Sequence, residues 1–140
     1  MINKQQALSR DAREFLAANH EIRVVFNTAG VLLGANHIFC RAVDRQPDDM
    51  IGRYCWNFID PVCLDETLEV LNYVSLVGGT NDFINCYLTP SRRRIWLQWS
   101  CGKASPEGLL LASADVIEAP ELWFAQAPVS KPAPMCFARI

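Results

Sequence analysis

The six cysteines of this 140-residue chain are its most versatile candidates for chemistry. They stand at Cys40, Cys55, Cys63, Cys86, Cys101 and Cys136. No two of them have the Cys-x-x-Cys spacing, and both histidines, His20 and His37, lie far from any tight cysteine pair. The spacing therefore does not indicate a zinc site or a covalent haem attachment. Because the chain shows no export signal, we expect reduced thiols that pack mostly as small apolar groups.

One histidine stands in a pattern that is linked to phosphoryl transfer. Residues 12–23, with His20 followed by Glu21, resemble the phospho-acceptor box of histidine kinases. Such a box needs an exposed histidine on a long helix and a neighbouring acid that raises its basicity. Residues 24–26 read as a strand instead, and no glycine-rich nucleotide-binding segment follows. A histidine-kinase fragment with phospho-acceptor His20 is therefore kept only as an alternative.

The composition narrows the classes of function. A hydrophobic fraction of 51% and a charged fraction of 20% are typical of a globular chain, and 140 residues suit one domain. The net charge of −2 gives no electrostatic reason to bind nucleic acid or an anionic membrane surface. The apolar runs are too short for a signal peptide or a bilayer span. We expect a soluble cytoplasmic protein without a nucleic-acid or membrane partner.

The first half of the chain reads as a helix, a hairpin and short helical segments. Apolar residues at helical spacing predict a helix over residues 3–19, and β-branched runs predict strands over 23–27 and 31–35. Asn36 is a good N-cap for a short helix that extends to residue 42. Residues 44–52 are predicted to be a loop with one helical turn, and Asp60 before Pro61 marks a further break.

The second half reads as one helix and three strands. An apolar stripe predicts a helix over residues 62–77, and the glycines at 78 and 79 end this helix. The residues of the stripe are Leu64, Leu68, Leu71 and Val74. Strands are predicted over 82–89, 94–103 and 109–117. Strands joined by hairpins favour an antiparallel sheet with helices segregated to one face, which is an α+β fold. The tail carries four prolines after residue 118, so we do not expect one continuous helix there.

Short motifs in this order resemble the PAS family of sensory and signalling modules. They are Val-Phe-Asn-Thr-Ala-Gly-Val at 25–31, Asn36 with Phe39, Gln-Pro-Asp-Asp-Met-Ile-Gly-Arg at 46–53, Trp-Asn-Phe-Ile-Asp-Pro at 56–61, Arg-Ile-Trp-Leu at 94–97 and Ala-Asp-Val-Ile-Glu at 114–118. The resemblance implies a five-stranded antiparallel sheet with helices on one face and an N-terminal flanking helix. It divides the chain into a flanking helix over 1–22, a PAS-like core over 23–118 and a proline-rich tail over 119–140.

The resemblance also implies a function. It identifies a sensory or regulatory domain, not an enzyme, that acts in signal transduction through dimerisation and binding of a small ligand. The partners implied are a second copy, through the N-terminal helix and the sheet face, and another signalling protein. No cofactor is required. A flavin-binding light or redox sensor is an alternative, because Cys55 lies near the cysteine of the flavin-photoreceptor signature, whereas the missing histidine on the long helix argues against haem.

The aromatic residues predict where a ligand would lie. Trp96 and Trp99 differ by three positions, so they point to opposite faces of one strand. One face should pack on the helices that hold Phe39 and Leu71, and the other on the first helix or on a second subunit. The candidate pocket lining, mostly apolar and suited to a flat aromatic or fatty molecule, is Phe39, Trp56, Phe58, Leu71, Ile84 and Trp99. A core filled by these side chains is the slightly favoured alternative.

Three further positions are candidates for structural or signalling roles. Asn36 is expected to cap its helix, and Asp115 near the end of the last strand is a candidate for a signalling or structural ion pair. The arginines at 92–94 are interpreted as a solvated hairpin tip that keeps the strand edges soluble.

Overall fold

The structure, a computed structural model, describes residues 8–120. The helices are α1 (Arg10–Leu16), α2 (His37–Val43), α3 (Pro47–Met50) and α4 (Leu64–Leu76), and 3₁₀ turns span Cys55–Asn57 and Pro61–Cys63. The strands are β1 (Ile22–Asn27), β2 (Leu32–Ala35), β3 (Thr80–Leu88), β4 (Arg94–Cys101) and β5 (Leu109–Ile117). Every element predicted from the sequence between residues 8 and 117 is present, and β5 has the predicted bounds.

The five strands form one antiparallel sheet in the order β2-β1-β5-β4-β3. The α+β fold predicted from the hairpin pattern is therefore confirmed. The inner face of the sheet, which carries Val24, Leu97 and Trp99, packs with α2 and α4 in the main core. β3 is an edge strand, and on its free edge the amide of Leu88 donates to the carbonyl oxygen of Phe58 at 2.8 Å. The segment that carries Phe58 therefore covers part of this strand edge.

The first helix is shorter within the described residues than the predicted span of 3–19. It begins after Ser9, whose hydroxyl oxygen accepts from the amide of Ala12 at 3.2 Å, and it ends at Leu16. Ala12 and Leu16 pack on Val25, on the opposite face of the sheet from the main core. The apolar stripe of α1 therefore covers β1 of its own chain. Residues 1–7 lie outside the described part.

The apolar stripe predicted for α4 is partly wrong. Leu68 is 39% exposed, and Leu64 and Leu71 are only half-buried. The face that α4 buries instead carries Glu66, Thr67, Val70 and Val74. Two of those four side chains are polar, so hydrophobic periodicity alone predicts the wrong buried face for this helix.

The turn of the first hairpin contains Gly30, and any other residue there would force neighbouring atoms to move. Gly30 has a φ of +90°, which is strained for residues with a Cβ, and a Cβ there would lie 2.7 Å from the Trp56 ring. The hairpin turn and the Trp56 ring are thus in direct contact, and the amide of Cys55 donates to the carbonyl of Gly30 at 2.8 Å.

The proline-rich tail and Cys136 lie beyond residue 120, outside the described part. Between residues 8 and 120, no helix combines the length and the apolar character that crossing a bilayer requires.

Candidate ligand-binding site

A cavity of about 70 Å³ lies between α4 and the inner face of the sheet. Its walls come from α4, from β1 and β3–β5, and from Cys55 in the 3₁₀ turn Cys55–Asn57. The lining residues are Phe26, Cys55, Thr67, Val70, Leu71, Val74, Phe83, Asn85, Tyr87, Trp99, Cys101, Leu110 and Ala112. Most of these side chains are apolar, so the cavity suits an apolar occupant.

Aromatic rings form the sheet side of the cavity. Trp99 is the centre of the group, with ring centroids 6.3 Å from Phe26, 6.2 Å from Phe39 and 6.0 Å from Tyr87. Phe39 and Tyr87 meet edge to face at 5.5 Å. Such tilted and edge-on contacts are favourable for aromatic rings. The expectation that the Trp99 face packs on the helix holding Phe39 is confirmed.

A row of buried polar groups, joined by hydrogen bonds, runs along the cavity lining from the sheet to α4. The indole N–H of Trp99 donates to the Asn85 amide oxygen at 2.7 Å, and the Asn85 amide nitrogen donates to the Thr67 hydroxyl at 3.3 Å. The Thr67 hydroxyl in turn donates to the carbonyl of Cys63 at 2.7 Å. Each buried polar group named here therefore has a partner, which such groups need away from water. These hydrogen bonds connect β4, β3 and the start of α4.

The ionisable groups of the lining are held neutral. Burial raises the pKa of the Cys55 thiol to about 12 and that of the Cys101 thiol to about 11. Burial also raises the pKa of Tyr87 well above its ordinary value. Within the described part of the chain, no carboxylate, histidine or lysine lines the cavity. With their thiols protonated, these side chains present apolar contacts and neutral hydrogen-bonding groups near neutral pH.

Two of the six predicted pocket residues line the cavity. Leu71 and Trp99 do so, on opposite walls. Phe39 lies behind the lining, in contact with Trp99 and Tyr87, and is fully buried.

The other three predicted pocket residues lie outside the lining. Trp56 is half-buried, and its ring stacks on that of Tyr54 with centroids 4.4 Å apart. Phe58 lies under the guanidinium of Arg45, at 4.8 Å from the ring centroid. Ile84 is a half-buried side chain that packs at the edge of the main core.

Sequence reasoning missed the polar members of the lining. Asn85 and Thr67 are both buried, yet each is a residue type that usually faces water. A signal was present for Asn85, because it alternates with Phe83 and Tyr87 and must share their face of the strand. Thr67 had no such signal, since the stripe predicted for α4 placed the leucines inward.

Asn36 has a larger structural role than a helix cap. Its amide oxygen accepts from the amides of Phe39 at 3.1 Å and Arg23 at 3.2 Å. Its amide nitrogen donates to the carbonyls of Ala18 at 3.1 Å and Glu21 at 2.7 Å. One buried side chain therefore ties the segment after α1 to β1 and to the start of α2.

Asp115 and His20 are both on the surface. Asp115 is an exposed residue of β5 that pairs with Gln98 of β4 in the sheet register. The side chain of His20 is 69% exposed, but α1 ends four residues before it, so His20 does not lie on a helix. The setting that a phospho-acceptor box needs is therefore absent at His20, which corrects the helical reading of residues 3–19.

The three arginines at the hairpin between β3 and β4 are exposed, as predicted for a solvated tip. Arg94 also makes an ion pair with Asp60, with 2.7 Å between its Nε and the carboxylate. Of the cysteines, Cys40, Cys55, Cys63 and Cys86 are buried free thiols, and Cys101 is a half-buried one. Among residues 8–120, no cluster of histidine, cysteine and acidic side chains could hold a metal ion.

The cavity as it stands is small for a flavin. Pockets for ligands and cofactors usually measure about 300–1,000 Å³, several times the volume found here. Cys55 lines the cavity, but its raised pKa keeps the sulfur protonated and unreactive as a nucleophile. The residues in place thus match a small molecule better than a flavin ring system.

No protein-family model and no curated protein sequence matches the chain. Solved structures do match it. The PAS domain of an HTR-like protein from Haloarcula marismortui aligns with a TM-score of 0.63 and 18% identity, over 77% of this chain and 89% of that one. A Rhodobacter sphaeroides LOV protein aligns with a TM-score of 0.66 and 11% identity, over 91% of this chain and 74% of that one.

A third match is the PAS domain of the quorum-sensing receptor RpfR from Cronobacter turicensis, solved in complex with C12:0. It aligns with a TM-score of 0.62 and 12% identity, over 74% of this chain and 99% of that one. The chain therefore has the PAS fold, as its sequence motifs predicted.

Proposed function

We propose that this chain is a sensory or regulatory module of a signalling system, which binds a small apolar molecule between the sheet and α4. Binding there changes the packing of α4, and the altered helix surface is what a partner reads. The output is a change in protein contacts and not a chemical reaction, because the cavity lacks groups that transfer protons near neutral pH.

The observation that carries this proposal is the position of the cavity under a single helix. Leu71 and Val74 of α4 form one wall, and Leu71 is half-buried, so a ligand that enters must displace or stiffen this part of the helix. On its outer side α4 exposes Leu76 (76%), and Val77 after it is 64% exposed. We propose that a partner contacts these two exposed apolar side chains.

The size and lining of the cavity indicate the class of ligand. An apolar cavity of about 150 Å³ binds benzene or xenon in another protein, and the cavity here is about half as large. A single aromatic ring is therefore the upper limit, and it enters only when Leu71 and its neighbours move. The PAS domain solved with C12:0 supports the idea that this fold can hold an apolar molecule.

Thermal unfolding in the presence of toluene tests the proposal. A ligand that binds only the native state at ten times its Kd adds about 1.4 kcal/mol, which raises the Tm by about 3–6 °C in a domain of this size. In Ala112→Leu, the larger side chain occupies cavity space, so the shift should disappear. Ser113→Ala is the matched control, because Ser113 is the next residue of β5 and points to the other face. An equal shift in wild type and Ala112→Leu would contradict the proposal.

Homodimerisation is the second candidate route of signalling. Its support is a groove at the end of β4 and β5, where Trp96 and Ile117 lie beside Val116, which is 57% exposed. Arg92 and Arg94 also line this groove, so it is apolar only in part. In the first helix, Ala12 and Leu16 pack on their own sheet, so we propose a contact surface away from these two residues. We therefore place the second copy, or another signalling protein, on this end of the sheet. The native mass of the purified protein, compared with that of Val116→Lys, tests this placement, and an unchanged dimer would refute it.

The flavin alternative has a simple test. A flavin sensor is yellow when purified, and flavin absorption bands would show that the cavity opens to hold the ring system. The protein proposed here is colourless.

A further inference from the structure

The Asn85 side chain has a fixed orientation in the cavity. The indole nitrogen of Trp99 can only donate, so the Asn85 group at 2.7 Å from it must be the amide oxygen. The amide nitrogen then faces Thr67, whose hydroxyl accepts from it because that hydroxyl donates to the carbonyl of Cys63. The hydrogen bonds therefore determine which end of the amide is which.

The Asn85 nitrogen carries two hydrogens, and one of them goes to Thr67. Among residues 8–120, the hydrogen bond to Thr67 is the one that this nitrogen donates. The Asn85 side chain is only 2% exposed and lines the cavity. A buried donor of this kind is satisfied when a molecule in the cavity presents an acceptor.

We infer that the cavity selects a small apolar molecule with one neutral acceptor oxygen, such as a phenol or an aromatic aldehyde, which accepts a hydrogen bond from the Asn85 amide. This inference rests on the proposed function, because it assigns the ligand class of the same cavity. We do not expect an anionic carboxylate to bind, since no arginine, lysine or histidine among residues 8–120 lines the cavity to compensate a buried charge.

Toluene and phenol make a matched pair for the test, because they differ only in a methyl and a hydroxyl group. Without a partner, burying the phenol hydroxyl weakens binding relative to toluene by about tenfold or more. With the Asn85 hydrogen bond, this loss is recovered, and phenol binds as tightly as toluene or more tightly. Dissociation constants from calorimetry on the wild-type chain give the ratio directly, and benzoate should not bind.

The Asn85 amide also provides a spectroscopic signature. In ¹H–¹⁵N spectra of the wild-type protein, phenol should shift the Asn85 side-chain NH₂ signals, while toluene shifts mainly the resonances of the apolar lining. Asn85→Leu keeps a similar shape and removes the donor, so it should bind toluene and lose phenol by about tenfold. This variant leaves the Trp99 N–H without its acceptor, so if it does not fold, the wild-type affinities and spectra still decide the question.

The outcomes separate the two proposals. If neither toluene nor phenol binds, the proposed function fails. If toluene binds and phenol is tenfold weaker, with no shift of the Asn85 NH₂ signals, the ligand class inferred here is wrong and the apolar cavity stands. Phenol binding equal to or tighter than that of toluene, with the NH₂ shift, supports both.

Discussion

Arg94 of β4 donates from its Nε to the Asp60 carboxylate at 2.7 Å, across 34 positions of sequence. The other oxygen of Asp60 accepts from the amide of Val62 at 3.1 Å and begins the 3₁₀ turn before α4. One nearly buried carboxylate thus fixes the start of the helical wall of the cavity to a central strand. The ion pair also raises the pKa of Arg94, so the guanidinium stays charged.

Asp60→Ala should reduce the free energy of unfolding by about 1.5–3 kcal/mol, because a helix-turn cap and a charge-assisted hydrogen bond are lost together. Arg94 is half exposed, so solvent screening keeps the estimate at this modest level. Denaturant melts measure the change. Arg92→Ala, on the same hairpin but fully on the surface, is the control and should change stability by less than about 0.5 kcal/mol. Equal effects of the two variants would show that the pair contributes nothing.

Asn36 offers a prediction with its own graded control. Asn36→Ala removes four hydrogen bonds of a buried side chain and should cost about 2–4 kcal/mol. Asn36→Asp keeps the oxygen that accepts from Phe39 and Arg23 but cannot donate to the carbonyls of Ala18 and Glu21. Its loss of stability should therefore lie between those of wild type and the alanine variant. A cap-only role predicts instead that aspartate is as good as asparagine.

The position of Leu71 separates the sequence-based expectation from the structure. Truncating a fully buried leucine costs about 2–5 kcal/mol, and the stripe predicted for α4 places Leu71 in this class. Because Leu71 is half-buried beside a cavity, we expect Leu71→Ala to cost about 1–2 kcal/mol. Leu97→Ala, which is fully buried, should show the full cost, and the exposed Leu68→Ala should be nearly neutral. If Leu71→Ala is as unstable as Leu97→Ala, Leu71 is fully buried and the expectation from its half-buried position is wrong.

The buried thiols predict how stability depends on pH. The folded-state pKa values of Cys55 and Cys101, about 12 and about 11, lie above the ordinary value of 9.0. A raised thiol pKa means that the folded chain holds protons that the unfolded chain releases. This contribution is therefore complete below pH 9 and is lost as the pH rises from 9 toward 11–12. In a series of melts from pH 7 to 12, the Tm should decrease between pH 9 and pH 12. Cys101→Ser should make this decrease smaller.

Thiol labelling gives an independent check of the same burial. In a Cys136→Ser background, a maleimide at pH 8 should react slowly with the folded protein and fully after denaturation, because the protonated and buried sulfurs are poor nucleophiles. Rapid labelling of Cys55 in the native state would mean that its thiol is activated, and the flavin alternative would regain support.

The sequence predicted the order and type of the elements well because these depend on local patterns. Alternating residues and turn residues give the strands, and Asn36 gives the start of α2. The buried face of α4 could not be predicted in the same way. Thr67 faces the sheet because its hydroxyl bonds with Asn85, and such a pairing is invisible until the two residues are brought together.

The candidate site was predicted in part for a related reason. Trp99 and Leu71 are large apolar residues of central elements, and both line the cavity. Phe26 and Tyr87 join them only because the strand registers place β1 and β3 near Trp99, and a register cannot be read from residue types alone. Trp56 was assigned to the lining by size, yet it stacks on Tyr54 beside the first hairpin.

The central claim is that an apolar cavity under α4 accepts a ligand. A crystal structure determined under xenon pressure tests it most directly, because xenon enters dry apolar cavities without needing any polar partner. We expect one xenon site between α4 and the sheet, in contact with Leu71, Phe83 and Trp99. A structure with no xenon at this place, and with side chains closing the space, would contradict the claim and leave protein contacts as the only signalling route.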